Sequence, residues 1–289
     1  MKKNKHFTER GLTKAIAEIK RRDNRGYNTI IKSMIAQIRL FRKKASPAAK
    51  LLVGVSGGID SAVVAFLAKK AVGSDRVILV YLPAEKNDEG MQYFPILKKF
   101  LNVKDISLIS VEEVAKGIEK IIQSYTKRKL DPITKGNIAS RVRINIMYAI
   151  AKEKNALVLG TSNRTEFVQG YATKYGTPMS CDLGILDELY KTDVLEIASK
   201  IGVPIEILRR APTTGFYVGQ THEKELGATL LEQDAAAYLL FEKKMSNNAI
   251  CLKYGVSKKY LFDFIKKYEN SSHKRMLQSA HIILGHIKK

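Results

Sequence analysis

The chain of 289 residues contains no tryptophan and only two cysteines, Cys181 and Cys251. Two thiols cannot build a disulfide framework, nor close a four-ligand zinc site by themselves, so a reducing, cytoplasmic setting is expected. No apolar run approaches the ~18 residues of a helical membrane span. The opening stretch MKKNKHFTER is basic but no apolar segment follows it, so no secretory signal is predicted. Acidic residues are scarce, 28 Asp+Glu against 50 Lys+Arg, a formal net charge of +22. Such an excess favours nucleotides, phosphates or RNA as company. Yet the basic clusters at 2–5, 39–44, 127–129, 258–267 and 288–289 are scattered, and none is interleaved with aromatic residues as an RNA-binding surface would be. Nucleic-acid binding is therefore not expected from charge alone. Hydrophobic residues make up 45%, enough for a globular core.

Periodicity organises the chain. Ile16 and Ile19, then Ile30, Ile31, Met34, Ile35, Ile38 and Phe41, recur at helical spacing on either side of Gly26, which predicts two helices within 1–45. Short apolar runs at 51–55, 77–82, 105–111 and 156–159 predict strands, and 61–72, 91–101, 112–125 and 137–152 predict helices between them. Strands that are apolar almost throughout, alternating with helices, imply a parallel Rossmann-like sheet covered on both faces, an α/β fold with helical N- and C-terminal extensions. Ligands of such sheets bind beyond the carboxyl ends of the strands. The tail after 223 is predicted helical, and 246–267 has helix–turn–helix spacing around Gly255, a pattern that many packed helix pairs share.

The strongest local signal follows the first strand: Gly54, Val55, Ser56, Gly57, Gly58, Ile59, Asp60, Ser61. Glycines let backbone N–H groups approach a phosphate, and the helix that starts there adds its dipole. The loop lacks the Gly-Lys-Ser/Thr of a Walker motif and the G-x-G-x-x-G of a dinucleotide fingerprint. Asp60 sets a carboxylate beside any phosphate bound there, which makes chemical sense with Mg²⁺ between them. Two glycines flanked by serines and an aspartate exceed what a plain turn needs.

This loop resembles that of the PP-loop ATP pyrophosphatases, which cleave ATP between the α and β phosphates. Further blocks narrow the resemblance: 136–143 (GNIASRVR), 160–176 (GTSNRTEFVQGYATKYG), 187–192 (DELYKT), Pro212 to Gly215, Gly219 to Thr221, Glu225 to Gly227 and His273 to Arg275. In this order they are similar to the ammonia-dependent NAD synthetase family, over about residues 28–275, with basic flanks at 1–27 and 276–289. The resemblance implies an AMP-forming ligase that adenylates the carboxylate of deamido-NAD with ATP and Mg²⁺, then lets ammonia displace AMP to give NAD. It also implies a homodimer, for which the apolar helix 28–41 is a candidate interface element. The alternative within the superfamily is an adenylating enzyme acting on another carboxylate or on tRNA.

Carried over by position, 54–61 match the ATP loop. Thr161, Lys191 and Thr213 match ATP contacts. Asp60 and Glu166 match the two Mg²⁺ ligands, and with Lys191 form the expected catalytic set. Asn137, Arg141, Lys174, Asp182, His273 and Lys274 match deamido-NAD positions. Taken singly, Lys174, Lys191, Arg141, Glu166 and His273 read as solvated surface residues, and Cys181 as a packing residue; only the joint spacing argues otherwise. The departures gather toward the substrate end. Thr177 stands where the family commonly has Asp, 212–217 read Pro-Thr-Thr-Gly-Phe-Tyr, and His222 follows Gln220 and Thr221. Ammonia rather than glutamine is the expected nitrogen donor, because ~55 residues before the loop are too few for an amidase domain.

Overall fold

The computed structural model describes residues 6–23, 26–86, 88–176, 180–210 and 226–275. Five parallel strands form one sheet: β1 (Lys50–Gly54), β2 (Val77–Tyr81), β3 (Asp105–Leu108), β4 (Ala156–Asn163) and β5 (Leu183–Leu186). Their spatial order is β3-β2-β1-β4-β5. The chain first builds outward from β1 to β3 and then reverses to add β4 and β5 on the other side. That reversal opens a crevice between the carboxyl ends of β1 and β4.

Side-chain alternation explains the two covered faces. Leu51 and Val53 point into one core, packed with α2 (Gly26–Ala45), α3 (Ile59–Val72) and α8 (Lys191–Ile201). Leu52 points to the opposite face, with Ile78, Val80 and Val158, under α5 (Glu112–Thr126) and α6 (Pro132–Glu153). Each such fully buried side chain stabilises the fold by about 1.5–3 kcal/mol. α3 is buried on nearly all sides, which is why its sequence from Ala62 to Ala68 carries no polar face.

Several boundaries differ from the sequence-based expectation. The helix expected at 137–152 begins five residues earlier, because Pro132 occupies its first turn and the Asp131 side chain accepts from the Thr134 N–H. The strand expected at 105–111 ends at Leu108, and the helix expected at 91–101 is a 3₁₀ turn at Met91–Tyr93 followed by α4 (Phe94–Leu101). β4 continues four residues past its apolar run, and β5, only four residues long and interrupted by Gly184, pairs with that extension. The apolar side of α2 is spent on the core, where Ile31 and Ile38 are buried.

A third core lies beside the sheet. α1 (Glu9–Arg21) buries Leu12, Ala15 and Ile19 against α10 (Leu230–Ala237), α11 (Asn247–Tyr254) and α12 (Lys258–Asn270). The contact is backbone to backbone at Gly11, where a Cβ would stand 1.8 Å from the Tyr254 carbonyl oxygen. The helix–turn–helix stretch is thus two short helices joined at Gly255 (φ +62°), with Tyr260, Leu261 and Phe264 turned into this core. α7 (Arg164–Gln169), α9 (Ile205–Leu208) and α13 (Ser272–Arg275) complete the α-helices described. Among the described residues, no helix is long and apolar enough to cross a membrane.

Candidate active site

The turn from β1 into α3 is held by its own serines. The Ser56 N–H donates to Ser61 Oγ (3.1 Å), Ser61 Oγ donates to the Gly58 carbonyl (3.0 Å), and the Gly58 N–H donates to Ser56 Oγ (3.3 Å). Gly57 takes φ +72°, a left-handed conformation that makes glycine necessary. Gly54 is glycine for a different reason: a Cβ there would lie 3.0 Å from Met147 Sδ of α6. The first N–H groups of α3 have no intrahelical acceptor, so this end of a 14-residue helix favours an anion.

Asp60 sits in the first turn of α3, with its side chain 19% exposed. One carboxylate oxygen pairs with the Lys191 ammonium, and the other accepts from Asn163 Nδ2 at 3.0 Å. Asn163 is the N-cap of α7. Its Oδ1 accepts from the Glu166 N–H (3.0 Å), while Glu166 Oε2 accepts from the Asn163 N–H (3.3 Å) and from Ser162 Oγ (3.4 Å). This capping box links the two expected metal carboxylates through one asparagine. Burial, and then the neighbouring Asp60 charge, push Glu166 up to about 8 against the opposing pull of Lys191. Two carboxylates facing one lysine leave this corner short of positive charge.

Lys191 opens α8, and its side chain is 3% exposed. A cation at a helix N-terminus opposes the dipole, and the surroundings compensate. The Lys191 N–H donates to Thr165 Oγ1 (3.1 Å). The carboxylate of Asp234, on α10 and fully buried, accepts from the Thr192 N–H (2.7 Å), from Thr192 Oγ1 (2.6 Å) and from Thr165 Oγ1. Burial pushes Asp234 up to about 6 in spite of these donors. On the other side of the helix start, Asp193 accepts from the Tyr190 N–H (2.8 Å), the Tyr27 hydroxyl (2.8 Å) and both Arg22 Nη atoms (2.9 and 2.8 Å). The start of α8 that carries Lys191 is therefore held in place by α7, α10, α2 and the end of α1.

The residues expected to meet the second substrate form a less compact group. Asn137 Oδ1 accepts from Thr173 Oγ1 (2.7 Å), and Arg141 Nε donates to the Lys174 carbonyl (3.2 Å), so α6 and the 173–174 turn share one surface. Asp182 is tied to the sheet, accepting from the Val158 N–H (2.7 Å) and the Tyr148 hydroxyl (3.2 Å). Lys274 donates to the Gly170 carbonyl at the end of α7 (2.9 Å), whereas the exposed His273 ring contacts the Asn270 carbonyl of its own segment. Thr161 lies within β4, beside the crevice. Thr213 and Thr177 lie outside the described residues. Cys181 is half-buried and its thiol is pushed up to about 11, mainly by burial, which suits a packing residue.

Three positions of this site escaped the sequence reading. Asn163 could have been found, since Asn followed three residues later by Glu is a capping-box signature. Asp234, within an alanine-rich helix, carries no local signal, and Asp193, the third residue of α8, is marked only as an acid in a helix's first turn. Among the described residues no three His, Cys, Asp or Glu side chains cluster as a self-sufficient metal site. Asp60 and Glu166 suit an ion that completes its shell with phosphate oxygens.

The sequence profile described as NAD synthase matches residues 30–278. The chain belongs to the NAD synthase family. Relatives within the family include the NH(3)-dependent NAD(+) synthetase of Thermococcus sibiricus, 38% identical over 231 residues, which span 78% of this chain and 87% of that one. The protein of the same name from Methanocaldococcus jannaschii is 36% identical over 231 residues, with 78% and 86% covered. Among solved structures, the NMN synthetase from Francisella tularensis has a TM-score of 0.75 at 30% identity, covering 89% of this chain and 99% of that one. The NH3-dependent NAD synthetase from Campylobacter jejuni, in complex with the nitrate ion, has a TM-score of 0.71 at 23% identity, with 89% and 99% covered, and shows the shared fold.

Proposed function

We propose that the protein is an ammonia-dependent NAD synthetase, amidating the carboxylate of deamido-NAD at the expense of ATP. One observation carries the reading: Asp60, Glu166 and Lys191, from three separate segments, gather at the β1/β4 crevice beside the serine-knit loop. A nicotinate carboxylate has no leaving group for ammonia to displace. Attack of its oxygen on the α-phosphorus breaks the bond to the β-phosphate and releases pyrophosphate. Ammonia then adds to the carbonyl of the mixed anhydride, AMP departs, and the nitrogen loses a proton. In this reading the 56–61 loop cradles the leaving pyrophosphate, and Lys191 neutralises charge as it grows on the phosphates. Asp60 and Glu166 would hold Mg²⁺, which supplies further neutralisation. The low-dielectric setting of Lys191 makes its charge count for more than it would in water. Asn137, Arg141, Lys174 and Asp182 line the side where deamido-NAD would lie, and Lys274 would close it from the tail. The catalytic unit is assigned to 28–275.

A second copy of the chain is the proposed partner. Exposed apolar side chains concentrate on α5 and the start of α6, where Val114, Ile121, Tyr125 and Ile133 are 54%, 68%, 87% and 57% exposed. The likeness to a structure named NMN synthetase favours one other substrate, the mononucleotide half of deamido-NAD, nicotinate mononucleotide.

The test is an endpoint assay with Mg-ATP, ammonium and either deamido-NAD or nicotinate mononucleotide, scored for amide product and AMP by mass. NAD formation that requires ATP and ammonium, and is lost in Asp60→Ala, is the expected result. Preferential turnover of the mononucleotide would replace the substrate, and no AMP with either would overturn the reading.

A further inference from the structure

Arg209 and Arg210 stand side by side after α9, and their side chains part company. Arg209 is exposed. Arg210 folds back across the phosphate loop: its Nη1 donates to the Ser56 carbonyl (2.8 Å), and its guanidinium lies 4.8 Å from the centre of the Tyr93 ring. It rests directly on the glycine that must be left-handed. A Cβ at Gly57 would come 3.0 Å from Arg210 Nη1 and 2.9 Å from both the Gly90 carbonyl oxygen and Tyr93 Cβ. The anchor is firm, since α9 buries Ile207 completely in the core that holds α3. No carboxylate among the described residues forms an ion pair with Arg210.

A guanidinium stacked on an aromatic ring is pre-organised and loses little freedom when it takes a ligand. Its contact with Ser56 uses one of five N–H donors. An oriented fork, with no ion-pair partner among the described residues, beside a glycine-rich anion loop matches the oxygens of a phosphate better than a lysine would. We propose that Arg210 is a further catalytic residue, contacting the pyrophosphate portion of ATP. It would stabilise the charge that develops on the β-phosphate as its bond to the α-phosphorus breaks. The inference rests on the reading of 56–61 as the pyrophosphate loop and gives that loop a second side-chain cation beside Lys191.

The test binds inorganic pyrophosphate, with Mg²⁺, to the intact protein by calorimetry, alongside steady-state kinetics. Arg210→Ala is expected to weaken pyrophosphate about tenfold or more, the value of one charge-assisted contact. Its KM for ATP should rise in step, while KM for ammonium and the melting temperature stay put. Arg210→Lys should recover part of the loss, and Arg209→Ala should match wild type within about twofold. If Arg210→Ala fails to fold, Arg210→Gln, a neutral, shorter side chain that keeps an N–H donor, replaces it. Pyrophosphate binding unchanged in Arg210→Ala, or lowered equally in Arg209→Ala, would overturn the proposal. If no substrate pair yields amide, the pyrophosphate titration still decides the role of Arg210, while the synthetase reading alone falls.

Discussion

Asp234 offers the sharpest test of how the site is held. Two effects oppose each other there. Its carboxylate gathers three donors from Thr165 and Thr192, each worth about 1.5–3 kcal/mol when the acceptor is charged. Burial works the other way and raises its pKa from 3.8 to about 6. Because the shift is upward, burial outweighs the donors as far as ionisation is concerned. The folded state keeps the proton longer than the unfolded chain does, so stability is lost as pH rises from about 4 to about 6. The loss levels off near 3 kcal/mol, from 1.36 kcal/mol for each of about two pH units. Asp234→Asn keeps an acceptor for the Thr192 N–H and never ionises. Relative to wild type it should therefore gain about 1 kcal/mol between pH 5 and pH 8. Asp234→Ala strands three buried donors and should lose about 3 kcal/mol or more, a drop in melting temperature of roughly 6–12 °C. Urea unfolding of the three proteins at pH 5 and pH 8 measures both effects. The reasoning fails if Asp234→Asn shows the same pH dependence as wild type, or if Asp234→Ala is as stable as wild type.

Glu166 obeys the same sign. Its carboxyl is pushed from 4.5 up to about 8, so metal-free protein should lose stability as pH rises through that range. Glu166→Gln should flatten that loss and melt higher than wild type at pH 8, while losing AMP formation; a lower melting point at pH 8 would contradict this. Lys191→Met preserves bulk but removes the cation, and AMP formation should fall by about a hundredfold or more, as for loss of a preorganised electrostatic contact. Because the Asp60 and Glu166 carboxylates then lose the counter-charge of Lys191, the same variant should also be less stable at pH 8 than at pH 5, read by thermal melting. Ile121→Asp places a charge on the exposed α5 face and should convert a dimer to monomers in sedimentation; an unchanged mass would place the contact elsewhere.

Much of this architecture was legible along the chain. Continuous apolar strands, glycine-marked turns and helical spacing are local properties, so the four-strand framework and the loop at 54–61 could be read directly. Asp131 and Pro132 also carried a legible helix start, which the apolar pattern alone overlooked. β5 was not legible, because a strand of four residues, one of them Gly184, gains its identity only from the neighbour it pairs with.

The candidate site divides in the same way. Asp60 stood out within its glycine-rich loop, but Glu166 and Lys191 were singled out only through the family resemblance, since each alone reads as a surface residue. Sequence spacing could not say that Asn163 joins the two carboxylates, that Asp193 and Arg22 brace the start of α8, or that Arg210 rather than Arg209 lies over Gly57. Those facts depend on side chains separated by 103, 171 and 154 positions meeting in space. No local propensity encodes such meetings. Only packing decides them, because a buried polar group must find its partner wherever the folded chain brings one.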